Sequence, residues 1–486
     1  MAVDSQVVRQ GLGYPVIDID GHLVEHVPEV VPFVREHLSR PLFDRWIGGE
    51  FTHLFAVTGA NNAERARTRL PQAGWWGAPT ANTLDRATAM LPGLLYDRMD
   101  ELGFDLTVLY PTVGFGIAGV PDVDLRRGLC AGWNAYLASV VAPDRDRIRV
   151  AGVIPMHTPE EAVAELEHCH SLGIDVAGLP HGVVRRIAQP LDATVAFAWP
   201  GATHWLDTYG LDSAYDYDAV WQRCRELRLP VTFHGGLAFD SRHMQSPSNF
   251  VWNHLGLHAS MMFQVARSLV LGGVTQRFAD LSFAFLECGV AWAASFASDL
   301  VEHWERRSAE GLGATDPERL DVALLAELFA RYGRSTDGLA RLAAPGGPPE
   351  DERDDFARTN ATSAEELVAL LSGPCFFGCE ADDAMVATAF SPALPPGTRL
   401  QAALSSDLGH WDVDGIAKVL KHAWAHVERG TLTERDFRDF VFVNPARLYL
   451  RANPSFFDGT PVESHLLSAP GAARALPEIL DQRQDL

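Results

Sequence analysis

The chain reads as an α/β protein, a distorted (β/α)8 barrel of the TIM type with inserted loops and C-terminal helices. Three observations predict it. Eight short apolar segments alternate with longer stretches of helical period. The short segments are apolar on both faces, as parallel strands covered by helices must be. Most of them end in ionisable residues, where the active-site rim of such a barrel lies.

The strand candidates are Tyr14–Leu23, Asp105–Val113, Arg147–Met156, Asp175–Gly182, Leu229–Gly236, Leu281–Gly289, Cys375–Ala381 and Leu400–Gly409. Between them, Glu160–Leu172, Tyr217–Leu227 and Ser260–Phe278 space their apolar residues three and four apart, which predicts helices. The rival is an open doubly wound sheet. That fold usually carries a glycine-rich first turn, and Asp18-Ile19-Asp20-Gly21-His22 is no phosphate loop. Residues 1–457 are expected to form one barrel with insertions at about 40–100 and 305–372, followed by a tail over 458–486. The first insertion contains Trp75-Trp76-Gly77 and would stand at the rim as a lid; the second contains a solvated acidic loop, Pro345–Glu352. From Ile416 to about Phe457 the pattern reads as helices packed outside the barrel.

Composition narrows the function. Hydrophobic residues make up 47 % of 486, enough for a large core, and the net charge of −23 argues against nucleic acid or an anionic membrane as partner. No apolar run is long enough to span a bilayer, and MAVDSQVVRQ lacks a basic-then-apolar leader. The six cysteines are scattered without zinc-knuckle or disulfide spacing, so a reduced cytoplasm is the expected setting.

The chemistry gathers at strand ends. The first strand ends in Asp20 and His22, the fourth in His181, the fifth in His234-Gly235-Gly236 and the sixth in Glu287. The seventh leads into Glu380, Asp382 and Asp383, and the eighth into Asp407, His410 and Asp412. Alternate strand residues share a face, so Asp20 and His22 point together. Ordinary readings exist for each: Asp-x-His is common, a lone His181 or His258 is more often structural, Glu287 can pair with an arginine, and Asp382 and Asp383 suit a solvated turn. Jointly, Asp20, His22, His234 and Asp407 in barrel register point to a metal site. His410 and Asp412 then read as partners that orient a ligand. The chain has only two lysines, Lys418 and Lys421, neither near a strand end, so a second metal would need a carboxylate bridge.

The Asp-x-His of the first strand, His234, the segment Leu286–Trp292 and the segment Ser406–Asp412 resemble the amidohydrolase-related family, which includes aminocarboxymuconate-semialdehyde and resorcylate-type decarboxylases. The resemblance spans roughly residues 14 to 457. It implies divalent metal at the strand ends, held by Asp20, His22, His234 and Asp407, and the family's frequent dimers suggest a homodimer. The departures are Asp20 where many members have His, the missing lysine, and two extra donors, Glu287 and His258. Three imidazoles and three carboxylates (His22, His234, His258, Asp20, Glu287, Asp407) suit two metals better than one. Iron, zinc and manganese all accept such mixed ligation.

That wider pattern is also similar to a branch containing the nonheme diiron hydroxylase of platensimycin and platencin biosynthesis, which acts on a terpenoid coenzyme A thioester. The expectation it favours is a diiron monooxygenase acting on a bulky apolar acyl substrate such as a CoA thioester. Trp75, Trp76, Trp199, Trp205, Phe250 and Trp252 would form the pocket, and Arg185, Arg186 or Arg242 would hold a carboxylate or phosphate. The alternative is a metal-dependent hydrolase or nonoxidative decarboxylase of a small organic acid, in which Asp407 or His258 moves the proton. A noncatalytic metal-binding barrel is the third reading.

Overall fold

Eight parallel strands stand side by side in chain order, each inside one of the eight segments predicted from sequence. In the computed structural model, which describes residues 4–49, 61–72, 81–188, 203–235, 245–343, 353–413 and 415–467, the first four are β1 (Ile17–Leu23), β2 (Leu106–Pro111), β3 (Ile148–Val153) and β4 (Val176–Pro180). A two-stranded antiparallel hairpin follows, β5 (Val183–Arg186) and β6 (His204–Asp207). The barrel resumes with β7 (Val231–His234), β8 (Phe283–Phe285), β9 (Cys375–Glu380) and β10 (Gln401–Ser405). Continuous ladders join neighbours from β1 to β10. The seam between the last strand and the first is closed by two bonds, Asp407 N to Asp20 O at 2.9 Å and His22 N to Leu408 O at 3.0 Å.

The eight barrel strands are buried on both faces, as their apolar runs require. Phe233, Phe285 and Phe377 stack across β7, β8 and β9 with ring centroids 5.7 and 5.9 Å apart. Trp292 meets the last two edge-on. In β1 the register with β2 shifts between Asp18 and Gly21. A Cβ at Gly21 would stand 2.9 Å from Thr107 Oγ1 and 3.0 Å from Leu109 Cδ2, so only glycine permits the irregularity that aims Asp20 and His22.

Helices follow the strands and start at side-chain caps, Asp122 for Val123–Val141 and Thr158 for Pro159–Ser171. Tyr217–Leu227 forms Asp218–Leu227, while Ser260–Phe278 lies across two helices, Leu257–Leu271 and Val274–Arg277. The break falls at Gly272-Gly273, where Gly273 adopts φ +71°. Helices also fill the stretch from Ile416 onward, and Asn444 Nδ2 ties one of them to Ala402 O of β10 at 2.8 Å. Trp75, Trp76, Trp199, Arg242 and the acidic loop 345–352 lie outside the described residues. No helix among the described residues is long and apolar enough to cross a membrane.

Asn134 links β3 to two helices: its Nδ2 donates to Val153 O and to Glu165 Oε1. Burial pushes Glu165 from 4.5 up to about 7, against the Asn134 hydrogen bond. The folded value lies above the unfolded one. This group's contribution is therefore complete below about pH 4.5 and lost as pH rises through about 7. Glu165→Gln removes the titration, so denaturant unfolding should show the variant gaining on the wild type by up to about 3 kcal/mol between pH 4.5 and 8. A pH-independent difference would contradict this.

Candidate metal centre

Four strand ends and one helix supply the centre. β1 carries Asp20 and His22, β7 ends on His234, the residues just past β8 give Glu287, and those past β10 give Asp407 and His410. His258 comes from the first turn of the helix Leu257–Leu271. Asp20, His22, His234, Glu287 and Asp407 are all buried.

The donors converge. His22 Nε2 lies 3.2 Å from His234 Nε2, 3.1 Å from Glu287 Oε1, 3.4 Å from Asp407 Oδ1 and 3.8 Å from Asp20 Oδ1. His234 Nε2 is 3.4 Å from Glu287 Oε1 and 3.8 Å from Asp20 Oδ1. His410 Nδ1 approaches Asp407 Oδ1 at 2.7 Å and Glu287 Oε1 at 3.0 Å. Glu287 Oε2 meets His258 Nδ1 at 2.8 Å. Two donor groups result, Asp20–His22–His234 and His22–Glu287–Asp407–His410.

These residues fit a cation. Asp20 Oδ1, Glu287 Oε1 and Asp407 Oδ1 are buried and, among the described residues, have no hydrogen-bond donor near them other than these ring nitrogens, which is costly unless something positive faces them. The outer nitrogens of both inner histidines are engaged, His234 Nδ1 by Gly235 O at 2.8 Å and His22 Nδ1 by Thr112 Oγ1 at 3.3 Å. A His234 that donates from Nδ1 keeps its Nε2 lone pair facing the centre.

Charge crowding is severe. Burial pushes Asp20 up to about 7, with Glu287 and Asp18 reinforcing the rise against His234. Burial also raises Asp407 well above the usual carboxylate range, His410 opposing and Glu287 adding. For Glu287 burial is outweighed by His234 and His258, which hold it well below that range. The backbone is strained at two of the three acids: Glu287 has φ +51° and Asp407 φ +48°, a left-handed conformation that costs about 1–2 kcal/mol for a non-glycine residue.

A cavity of about 200 Å³ opens over Glu287, Asp407 and His410, with His254, His258, Glu380 and Trp411 in its walls. Glu380 and Asp412 group with Asp407 at its edge. No lysine or arginine is among the described residues that line it.

Most of the predicted site residues meet here, with changes of place. His410, expected to orient a ligand, lies among the donors, whereas His258 reaches the centre through Glu287. His181 is buried just past β4 and belongs to neither donor group. Arg185 is not at the site: it sits on β5, where its Nε donates to Asp207 at 2.5 Å and its Nη2 to Tyr217 Oη at 2.9 Å and His157 O at 3.1 Å. A short hairpin strand with no turn motif gave no sign of that pairing. Trp252 is 54 % exposed and outside the cavity lining, on the helix Phe250–His254. His254 and Asp18 were missed. His254 stands four residues before His258, a spacing visible in sequence; Asp18 resembled one more strand residue.

The sequence matches the amidohydrolase family over residues 17–336. The chain belongs to that family. No curated protein matches the chain. Among solved structures, an amidohydrolase from Mycobacterium avium subsp. paratuberculosis K-10 superposes with a TM-score of 0.51 at 15 % identity, covering 90 % of this chain and 100 % of that one. This likeness shows the fold, an amidohydrolase-type barrel. The 2,6-dihydroxybenzoate decarboxylase from Rhizobium (16 % identity, TM-score 0.45, 90 % and 98 % covered) is more distant. So is a manganese complex of 5-carboxyvanillate decarboxylase from Novosphingobium aromaticivorans DSM 12444 (14 %, 0.43, 90 % and 96 %). At that distance neither bears on the substrate of this amidohydrolase.

If the buried acids of this amidohydrolase await a cation, removing one should help the cation-free protein. Asn tolerates the left-handed backbone at position 407, so Asp407→Asn should unfold at higher temperature than wild type in chelator, by about 1–3 kcal/mol in stability. With divalent metal added the order should reverse. A variant less stable than wild type in chelator would contradict the charge argument.

Proposed function

We propose that this amidohydrolase is a metal-dependent hydrolase or nonoxidative decarboxylase of a small organic acid, with two divalent cations bridged by Glu287. The observation that carries the proposal is the place of Glu287 Oε1, which faces His22 and His234 of one donor group and His410 of the other, while Oε2 is held by His258. Asp20, His22 and His234 would hold one cation, and Asp407 and His410 the other. A single imidazole nitrogen ligates one cation only, so His22 belongs to the first set.

Charge balance favours two. Asp20, Glu287 and Asp407 carry three negative charges when ionised; one divalent cation leaves −1 and two leave +1. Glu380 and Asp412 add negative charge at the same cavity, whose described lining holds no lysine or arginine, so the second cation weakens the repulsion an incoming acid meets. Bound there, the cations would polarise a carbonyl and lower the pKa of water. The chain's own groups do the rest. His258 lines the cavity, is 21 % exposed and touches Glu287, so it can carry a proton between substrate and solvent. His254 and Trp411 wall the substrate in.

The size of the cavity supports a small substrate. Drug-sized ligands occupy about 300–1,000 Å³, and about 200 Å³ is small for a terpenoid acyl group. The diiron monooxygenase reading shares the bridged pair of cations, and it is the bridge alone that speaks for it.

Elemental analysis of gently purified protein should find two divalent cations per chain. Glu287→Ala should retain at most one and lose at least about a hundredfold in turnover on a panel of small aromatic and aliphatic acids. Turnover should persist without oxygen. A wild-type count of one, unchanged in the variant, removes the bridge; oxygen consumed in step with substrate replaces the hydrolase or decarboxylase with the oxygenase.

A further inference from the structure

Beneath the centre lies a carboxylate that the chemistry above does not use. Asp18 is fully buried at 0 % exposure and is satisfied by hydrogen bonds rather than by a cation. Its Oδ1 accepts from Ser406 N at 2.8 Å and from Asp20 N at 3.2 Å. Its Oδ2 accepts from Thr107 Oγ1 at 2.6 Å and Ser406 Oγ at 2.7 Å. Four donors saturate a carboxylate, which is an acceptor only.

The donors come from three strands or strand ends: β1 itself, β2, and the residue that precedes Asp407. This is the seam where the last strand meets the first, closed by the backbone bonds from Asp407 N to Asp20 O and from His22 N to Leu408 O. Ser405 Oγ adds a bond to Asp20 Oδ2 at 3.0 Å, and Leu408 N donates to Ser406 Oγ at 3.2 Å. Asp407, between the two held residues, has the strained φ of +48°. Strain of this kind persists only where surrounding bonds over-determine it.

We propose that Asp18 is a positioning residue: it latches the end of β10 to β1 and so sets where Asp407 stands relative to Asp20, without touching a cation itself. The proposal rests on the reading that Asp20 and Asp407 hold metal. A ligand carboxylate held by such partners typically loses about 10–100-fold in metal affinity when they are removed.

The test titrates Co2+ into metal-stripped wild type, Asp18→Ala, Asp18→Asn and Asp407→Asn, reading affinity and the visible cobalt spectrum. Asp18→Ala should bind about 10–100-fold more weakly with an altered spectrum, and Asp18→Asn, which keeps one acceptor oxygen, should recover part of both. Should Asp18→Ala fail to fold, Asp18→Asn against Ser406→Ala gives the same reading, since both remove part of the latch at nearly constant volume. Wild-type affinity and spectrum in the folded Asp18 variants, with Asp407→Asn impaired, overturns the positioning role alone. Wild-type binding in Asp407→Asn as well overturns the metal reading beneath it.

Discussion

Three carboxylates, Asp20, Glu287 and Asp407, face one another across the open end of the barrel, sheltered from water. Like charges a few ångströms apart in a poorly polarisable setting repel by several kcal/mol, and no lysine or arginine lines the described walls to offset them. Something positive must stand between them, whether proton, imidazolium or metal ion. Four imidazoles surround the group, and the engaged outer nitrogens of His22 and His234 turn their other nitrogens inward. The arrangement is costly to fold and would gain stability on binding a cation.

The rest of the molecule serves that arrangement. Strands buried on both faces make a stiff frame, and its ends carry the donors. Closing the frame at its seam fixes Asp20 against Asp407, and the bulge at Gly21 aims the first strand. Glu287 and Asp407 both take left-handed backbone just past their strands, and each is followed two residues later by a glycine with positive φ, Gly289 and Gly409. Local geometry thus yields to the needs of the centre, the pattern expected of functional sites.

The frame was legible in the sequence because its signal is strong and local. Every barrel strand falls within one of the predicted apolar segments, and most of the donors stand at the C-terminal ends of those segments. The hairpin β5–β6 was not legible. Its strands are four residues each, far apart, and paired without a turn motif, so Arg185 looked free when its partner Asp207 lay on the other strand. Direction past the strand end was also hidden. That His410 rather than His258 joins Asp407 depends on the turn at Gly409, which spacing alone does not reveal. Asp18 escaped notice because a strand alternation reads Asp18, Asp20 and His22 alike, and only the hydrogen bonds show that Asp18 is taken up by Ser406.

The centre itself is open to one direct measurement. Anomalous diffraction from crystals of the untreated protein, collected at the absorption edge of the element found in it, locates cations independently of activity. The account predicts anomalous density on either side of the Glu287 carboxylate, one peak against Asp20, His22 and His234 and one against Asp407 and His410. Anomalous density confined to a different part of the molecule, with these side chains hydrogen-bonded only to one another, would contradict it.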